Sequence, residues 1–442
     1  MFTLPKGVLY IIKKLQENGF QAYIVGGSVR DLIMGCPVYD WDITTDASPK
    51  KVSSLFEKVV PTGIKYGTVT VMLEDGDYEV TTFRCDEKYS DGRHPDRVSF
   101  TKDIEEDLSR RDFTVNSMAY DPVPGKLEDP FGGRDDIDKK VIRAVGKPLE
   151  RFREDGLRAM RACRFAAKLG FEIEKETLQA ISKTLPVFKK VALERVRDEI
   201  LKMLSSEKPS VGFEYMRKTG LLKIVLPELQ KCTGVKQPEQ FHAHDVYFHA
   251  IYACDAAPKE LPMVRLAALL HDISKPQCKK GDTFYDHDNK GAETAEKIMK
   301  RLKFGRDDIK EVKNLVKNHM FNYSGEWSDS AVRRFVKRVG LGNLEDLFML
   351  RIADMKAMEK DMDPGYLKEL SARIKKIVEE ENALDISDLK LTGTDIMREL
   401  NIGQGPKVGR ILSFLLDSVI EDPSVNTREK LLFLAKKHNG GK

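Results

Sequence analysis

Cysteine is scarce in this 442-residue chain. There are six, at positions 36, 85, 163, 232, 254 and 278, and no two stand in a CxxC spacing. That speaks against a dense disulfide framework and predicts reduced thiols, as in a cytoplasmic protein. Long apolar runs are missing too, so no membrane-spanning helix is expected. The stretch MFTLPKGVLYIIKKLQENGF is interrupted by Lys13 and Lys14, which argues against a signal peptide. Val8, Ile11, Ile12 and Leu15 mark it instead as an amphipathic helix. Low-complexity tracts and internal repeats are absent. So is a strong charge of one sign: 74 Lys and Arg stand against 70 Asp and Glu, a net +4. Global charge therefore selects no class of partner.

What is present describes a globular protein. A hydrophobic fraction of 41% and a charged fraction of 33% allow packed cores and exclude a disordered chain. The length predicts about three domains. Local charge says more than the total. Lys139–Lys168 holds ten Lys or Arg and three acids, which suits either a polyanion or a solvated helix surface.

Patterning changes along the chain. QAYIVGG, YGTVTVML and DYEVTTFR are rich in β-branched and aromatic residues between turn signals, and predict strands. Beyond about residue 140 the period is helical. GLRAMRACRFAAKLG stops at Gly170, Pro262 and Pro276 bracket LPMVRLAALLHDISKP, and YLKELSARIKKIVEEENAL opens a helical tail. The expected architecture is α+β: a mixed α/β head over residues 1–140, then an all-α body divided at 141–230, 231–360 and 361–442.

GGSVRDLIMGCPVYDWDITT (Gly26–Thr45) carries the first chemistry. It reads as a strand end, a tight Gly26–Gly27 turn and a short helix with Ser28 as N-cap. Glycine allows close backbone approach and a helix N-terminus attracts anions, so a phosphate fits at Gly26–Ser28. The stretch is neither a Walker sequence nor GxGxxG, so P-loop and dinucleotide-fold readings are weak. In a strand, Asp40 and Asp42 would share one face with Trp41 behind. Two such carboxylates repel unless a cation joins them, and Mg²⁺ favours a few carboxylates with phosphate oxygens. Strand parity could add Glu79 as a third carboxylate; an exposed strand charge is the other reading.

These residues resemble motif A of nucleotidyltransferases related to DNA polymerase β. More closely, they resemble the class II tRNA nucleotidyltransferases, the family of CCA-adding enzymes and bacterial poly(A) polymerases. Further motifs follow in order. RRDFTVNSMAY resembles motif B. Adjacent arginines supply donor forks for a triphosphate, and the resemblance implies that Arg30, Arg110, Arg111, Asp112 and Asn116 hold the incoming nucleotide. EKYSDGRHPDRVSF reads as a loop with Asp91, Arg93 and Asp96 as functional candidates, and in the family such a loop accompanies the switch to adding A. LEDPFGGRDD, with Asp129, resembles the head-to-neck hinge.

REDGLRAMRACRF resembles motif D. Asp155 and Arg158 stand three apart and form either a surface ion pair or a donor–acceptor edge for a base. The resemblance implies that they select C and then A in place of a nucleic acid template. Arg161 continues the stripe. At 100° per residue Arg164 lies half a turn of circumference from Asp155 and is expected outside their pocket, with a phosphate-binding or packing role. Motif E, LERVRDEILKML, places Glu194, Arg195 and Glu199 in a charge network read as structural.

A second cluster is rich in histidine. His249, the pair His271–Asp272, His287, His319 and Asp354 resemble the metal-binding pattern of HD phosphohydrolases. Imidazoles and carboxylates together suit a divalent transition metal. His242 and His244 have no counterpart in that pattern.

The expected fold is a polymerase-β-like nucleotidyltransferase head with a mixed sheet, followed by an extended all-α neck, an HD domain and a tRNA-binding tail. The expected activity is template-independent addition or repair of the 3′-terminal CCA of tRNA from CTP and ATP. It would proceed by two-metal transfer at Asp40 and Asp42 with release of pyrophosphate. The alternatives are an A-adding-only enzyme, a poly(A) polymerase, or an HD phosphohydrolase with a nucleotide-binding head. The expected cofactors are Mg²⁺ and a second divalent metal in the HD domain.

Overall fold

A computed structural model of the chain describes residues 2–87, 97–240, 242–359, 363–379 and 385–440. Asp91, Arg93 and Asp96 lie outside the described residues. The chain forms two compact units. One takes in the residues up to Gln230 together with Arg301–Phe304; the other holds Lys231–Lys300 and continues from Gly305.

The first unit begins with α1 (Lys6–Glu17), whose Val8, Ile11, Ile12 and Leu15 are all buried, as the 3.6-residue period requires. Seven strands then form a mixed sheet. They are β1 (Ala22–Val25), β2 (Asp42–Thr45), β3 (Val59–Gly63), β4 (Thr68–Leu73), β5 (Gly76–Thr82), β8 (Ala119–Asp121) and β9 (Lys126–Glu128), in the order β3-β4-β5-β2-β1-β8-β9. β6 (Arg84–Glu87) and β7 (Arg97–Phe100) make a separate antiparallel ribbon. Within the large sheet only β2 and β5 run parallel, with Asp42 opposite Glu79. Ile24, Ile43, Val69, Val71 and Val80 are buried between the sheet and its helices.

The head helices are α2 (Gly27–Ile33), α3 (Pro49–Leu55), α4 (Ile104–Ser109) and α5 (Gly133–Asp138); Asp129 caps α5 by accepting from the Gly133 and Arg134 amides. Two helices follow in close succession, α6 (Pro148–Glu154) and α7 (Leu157–Leu169). α7 ends at Gly170 in the left-handed region (φ 67°), where glycine carries no steric penalty. The helix Leu193–Leu204 packs on α7.

The second unit is helical. Val246–Ala256, Pro262–Leu270, Arg306–Asn318 and Leu344–Ala357 pack together. Pro262 opens the second of these, whereas Pro276 stands in the first turn of the next, Lys275–Cys278. The segments Gly393–Leu400, Pro406–Glu421 and Arg428–Gly440 enclose a core of Leu391, Ile396, Leu415, Val419, Leu431 and Ala435. No helix of the described residues is long and apolar enough to cross a membrane.

Asp107, on α4, is fully buried. One of its oxygens accepts from Arg110 Nε (3.1 Å) and Nη2 (2.9 Å) and from the Arg84 amide (3.2 Å), and the other pairs with Arg111 Nη2 at 3.5 Å. Burial pushes its carboxyl up, but Arg110 and Arg111 outweigh that and hold it below the usual carboxylate range. A lowered folded value means stability that is present above the unfolded value, about 4, and is lost as pH falls through the folded value. Asp107→Asn is expected to cost about 2–3 kcal/mol near neutral pH. The difference in urea midpoint between wild type and variant should shrink below about pH 4. A pH-independent difference would refute the assignment.

Candidate active site and candidate metal centre

A cavity of about 640 Å³ opens in the first unit. β1 delivers the chain to Gly26 (φ 73°, ψ −134°), the N-cap of α2. A Cβ at Gly26 would lie 2.9 Å from Arg111 Nη1 and 3.5 Å from Asp42 Oδ2. Glycine thus keeps a guanidinium and a carboxylate against the bare backbone. Ser28 does not cap the helix, because α2 begins two residues earlier than expected and Ser28 is already inside it. Its hydroxyl instead donates to the Asp40 carbonyl (2.9 Å) and accepts from the Asp42 amide (3.2 Å).

That clasp shapes the aspartate pair. Asp42 opens β2, while Asp40 lies in the connection before it rather than on the same strand. Both line the cavity. Burial raises the Asp42 carboxyl; Arg111 opposes this, and the charges of Asp40 and Glu79 add to it. Asp42 is half-buried and Asp40 is exposed beside it on the cavity wall; a carboxylate pair of this kind suits a divalent cation. Glu79 is exposed while facing Asp42 across the parallel pair.

Around the aspartates runs a chain of charged hydrogen bonds. Arg30 Nη1 donates to Asn116 Oδ1 (2.5 Å), and Asn116 Nδ2 donates to Asp112 Oδ1 (3.3 Å). Asp112 Oδ2 receives Arg161 Nε (2.7 Å) and Nη2 (2.6 Å). Arg161 lies 3.8 Å from Glu199 Oε1, and Arg164 Nε donates to Glu199 Oε2 at 2.5 Å. The sequence reading missed Asp107, which anchors Arg110 and Arg111; its i,i+3 and i,i+4 spacing to them was the available signal.

Asp155 and Arg158 both line the cavity, and the surface ion pair, one of the two readings of their spacing, does not form. Asp155 Oδ2 accepts from Arg195 Nη2 (2.7 Å), and its Oδ1 accepts from Arg195 Nη1 (3.3 Å) and the Leu157 amide (3.0 Å). Arg158 donates to Glu154 (2.6 Å) and to the carbonyls of Arg151 and Arg110. The cause is a joint. α6 ends at Glu154 and α7 begins at Leu157, so Asp155 is not one turn below Arg158 on a shared helix. The same joint invalidates the angular count to Arg164, which lines the same cavity as Asp155 after all. Arg195 is not only a strut, since it borders the cavity too, whereas Glu194 is exposed. Lys168 and Lys202 complete a lining of nine basic and five acidic side chains. An anion is the natural occupant.

The second unit holds the histidine cluster. His249 Nε2 lies 3.0 Å from Asp354 Oδ1 and 3.2 Å from His271 Nε2. His271 Nε2 is 3.1 Å from Asp272 Oδ2, and His287 and His319 present Nε2 at 3.4 and 3.8 Å from Asp272 Oδ1. All six side chains are buried. Each imidazole turns Nδ1 to a backbone carbonyl: Ala268 for His271, Phe284 for His287 and Val316 for His319, all at 2.7 Å, and Ala357 for His249 at 3.4 Å. A carbonyl only accepts, so each neutral ring carries its proton on Nδ1 and aims the Nε2 lone pair inward. This is the tautomer a metal ligand needs.

Asp272 Oδ1, His287 Nε2 and His319 Nε2 are buried without hydrogen-bond partners among the described residues. His249, His271 and Asp272, and likewise Asp272, His287 and His319, place ligand atoms within 4.8 Å of one another. The donor set fits a divalent transition metal. Burial pulls His271 down, but Asp272 and Asp354 outweigh it and hold it at about 10, so this ring must release its Nε2 proton to ligate a metal, while burial takes His319 down to about 3. His242, outside the expected set, meets His249 edge-on at 4.7 Å and borders the adjoining cavity of about 790 Å³; His244 pairs with Glu359 instead.

Comparison with known proteins follows this geometry. The model for the poly A polymerase head domain matches residues 22–143, that for the "Probable RNA and SrmB-binding site of polymerase A" matches 170–232, and that for tRNA nucleotidyltransferase domain 2 matches 284–435. The CCA-adding enzyme of Enterococcus faecalis is 32% identical over 98% of this chain and 97% of its own. The chain belongs to the CCA-adding enzyme family. The CCA-adding enzyme of Lactobacillus johnsonii is 47% identical over 48% of this chain and 53% of its own. Among solved structures, the Bacillus stearothermophilus CCA-adding enzyme in complex with CTP superposes with a TM-score of 0.75 at 27% identity, covering 98% of this chain and 96% of that one. A Thermotoga maritima CCA-adding enzyme complexed with tRNA shares the fold, with a TM-score of 0.57 at 20% identity and coverage of 99% and 96%.

Gly26 offers a direct check on the cavity in this family member. Gly26→Ala is strained by about 1–3 kcal/mol and drives a methyl into Arg111 Nη1. Nucleotide affinity should fall by roughly tenfold or more, from an arginine displaced by about 1 Å or less. Calorimetric titration with CTP measures it, and unchanged affinity would show that Gly26 and Arg111 do not adjoin the nucleotide.

Proposed function

We propose that this nucleotidyltransferase adds or repairs the 3′-terminal CCA of tRNA from CTP and ATP, releasing pyrophosphate. The observation that carries this reading is one cavity that collects the glycine turn, the Asp40–Asp42 pair, the arginines of motif B and the Asp155–Arg158–Arg195 group. Asp40 and Asp42 hold Mg²⁺, which when bound neutralises the triphosphate and favours attack by the tRNA 3′-hydroxyl on the α-phosphate. Arg110 and Arg111, fixed by Asp107, offer donors to the phosphates. Arg30, Asn116 and Asp112 orient the nucleotide through their shared hydrogen bonds, and Arg161 and Arg164 add positive charge beside it. Catalysis is then positioning and charge neutralisation.

Asp155 and Arg158 supply an acceptor and a donor to the base edge. C and A both carry an exocyclic amine, a donor that a carboxylate accepts. One protein pair therefore suits both bases. The residues 141–230 serve as the base-reading neck, and the tail from 361 binds tRNA through backbone shape. A cytoplasmic location is the one this substrate implies.

The decisive assay supplies tRNA lacking CCA with CTP and ATP, singly and together, and sequences the product ends. CTP alone should give CC, and both should give CCA. A product without C would sink this reading in favour of an A-adding-only enzyme or a poly(A) polymerase. Asp40→Ala and Asp42→Ala should each lower addition by at least roughly 100-fold.

A second reading is favoured by the His249–His271–Asp272–His287–His319–Asp354 cluster: a metal-dependent phosphohydrolase site of the HD type within residues 231–360. Purified protein should retain a divalent transition metal through dialysis and hydrolyse a generic phosphate monoester. His271→Ala should lose both while CCA addition persists. Full metal retention in that variant would remove His271 from the ligand set.

A further inference from the structure

The reading of the first cavity as a nucleotide site leaves one of its lining residues without a role. Phe165 is 5% exposed and stands on α7 directly after Arg164 and one turn beyond Arg161. Three guanidinium groups crowd its ring. The Cζ of Arg164 lies 3.9 Å from the ring centroid, that of Arg161 5.3 Å, and that of Arg30, arriving from α2, 5.5 Å. All three fall within the range of cation–π attraction, about 6 Å.

The ring itself is fixed from behind. It meets Phe113 edge-on at 5.7 Å, and Phe113 meets Phe152 in the same manner at 6.4 Å. Phe113 and Phe152 are fully buried, so this aromatic row anchors the orientation of Phe165 in the hydrophobic core.

Three cations so close together repel one another, and carboxylates hold them from the sides away from the ring. Arg161 and Arg164 share Glu199, Arg161 also pairs with Asp112, and Arg30 pairs with Asp31. Arg30 also donates to Asn116 Oδ1. To these partners the ring adds the negative face of an aromatic, shared by all three cations, which an aliphatic side chain of similar volume does not provide.

We propose that Phe165 is a positioning residue for nucleotide binding: its π face holds Arg30, Arg161 and Arg164 converged on the cavity before the triphosphate arrives. This rests on the nucleotide reading above and extends it to a residue that touches no reacting atom. A preorganised cation set acts on ground state and transition state alike, so its loss raises KM and leaves kcat nearly unchanged.

The test replaces Phe165 in the full-length protein by mono-, di- and trifluorinated phenylalanine. Fluorination withdraws charge from the ring face with little change in volume. The dissociation constants of CTP and ATP should rise stepwise and together, reaching roughly three- to tenfold in the trifluoro protein, with the melting temperature lowered by no more than about 4 °C. Phe165→Leu should raise KM with kcat retained, and Phe165→Tyr should restore it. A flat fluorine series overturns the proposal, as does a loss of affinity that follows the loss of melting temperature across variants rather than the number of fluorines. Absence of saturable CTP and ATP binding in the wild-type protein is a different result, and it overturns the nucleotide reading itself.

Discussion

Asp112 is the carboxylate on which the nucleotide cavity depends. Burial alone would push its carboxyl up, but Arg161 and the neighbouring donors keep it below the usual carboxylate range. From Asp112 one line of hydrogen bonds runs through Asn116 to Arg30 on α2, and another through Arg161 to Glu199 and Arg164. Segments 49 residues apart in the chain are joined at this single side chain. A network of that kind is rigid when every member is satisfied and costly when one is removed. Arg30 of α2, Asn116 and the Arg161–Arg164 stripe of α7 therefore stand or fall as a set.

The two sites solve opposite electrostatic problems. In the first unit basic side chains outnumber acidic ones around a cavity, and carboxylates such as Asp107 and Glu199 are spent on holding the cations still. The surplus is positive, the sign that an anion answers. In the second unit the surplus is of lone pairs. Four imidazoles locked through Nδ1, with Asp272 and Asp354 among them, leave an inward-facing set of donors that a cation completes. Both sites are thus preorganised for a partner of one charge sign before it arrives.

Much of this was legible in the sequence, and the failures have a common physical origin. Strands β1, β4 and β5, the stop of α7 at Gly170 and the ordered motifs announced a mixed α/β head with helices after it. The aspartate pair, the motif B arginines and the histidines were visible as residue types. What residue spacing does not carry is the exact start and end of a helix. One early start moved Ser28 from cap to clasp. One two-residue joint at Asp155–Gly156 changed the partners of Asp155 and returned Arg164 to the cavity. Gly156 was the available signal, because a Cβ there would meet the Phe188 backbone at 2.9 Å and an interior glycine suggests a break. Long-range meetings were hidden for another reason. His249 and Asp354 are 105 residues apart, and only tertiary packing brings them together. Phe165 was unreadable because an aromatic on a helix face ordinarily means core.

The parallel pairing of β2 with β5 carries a rule about chain length. Asp42 faces Glu79, and the next pair, Ile43 and Val80, is buried. β5 reaches that register from β4 through a tight hairpin at Glu74–Asp75, with Thr70 opposite Glu79 on its other side. Side chains alternate along a strand, so a slip by one residue would bury Glu79 and set Val80 beside Asp42. A slip by two would restore the facing but exchange the residue. A change in this hairpin that shifts β5 against β2 is therefore judged by parity first: the arithmetic of the pleat decides which side chain stands beside Asp42.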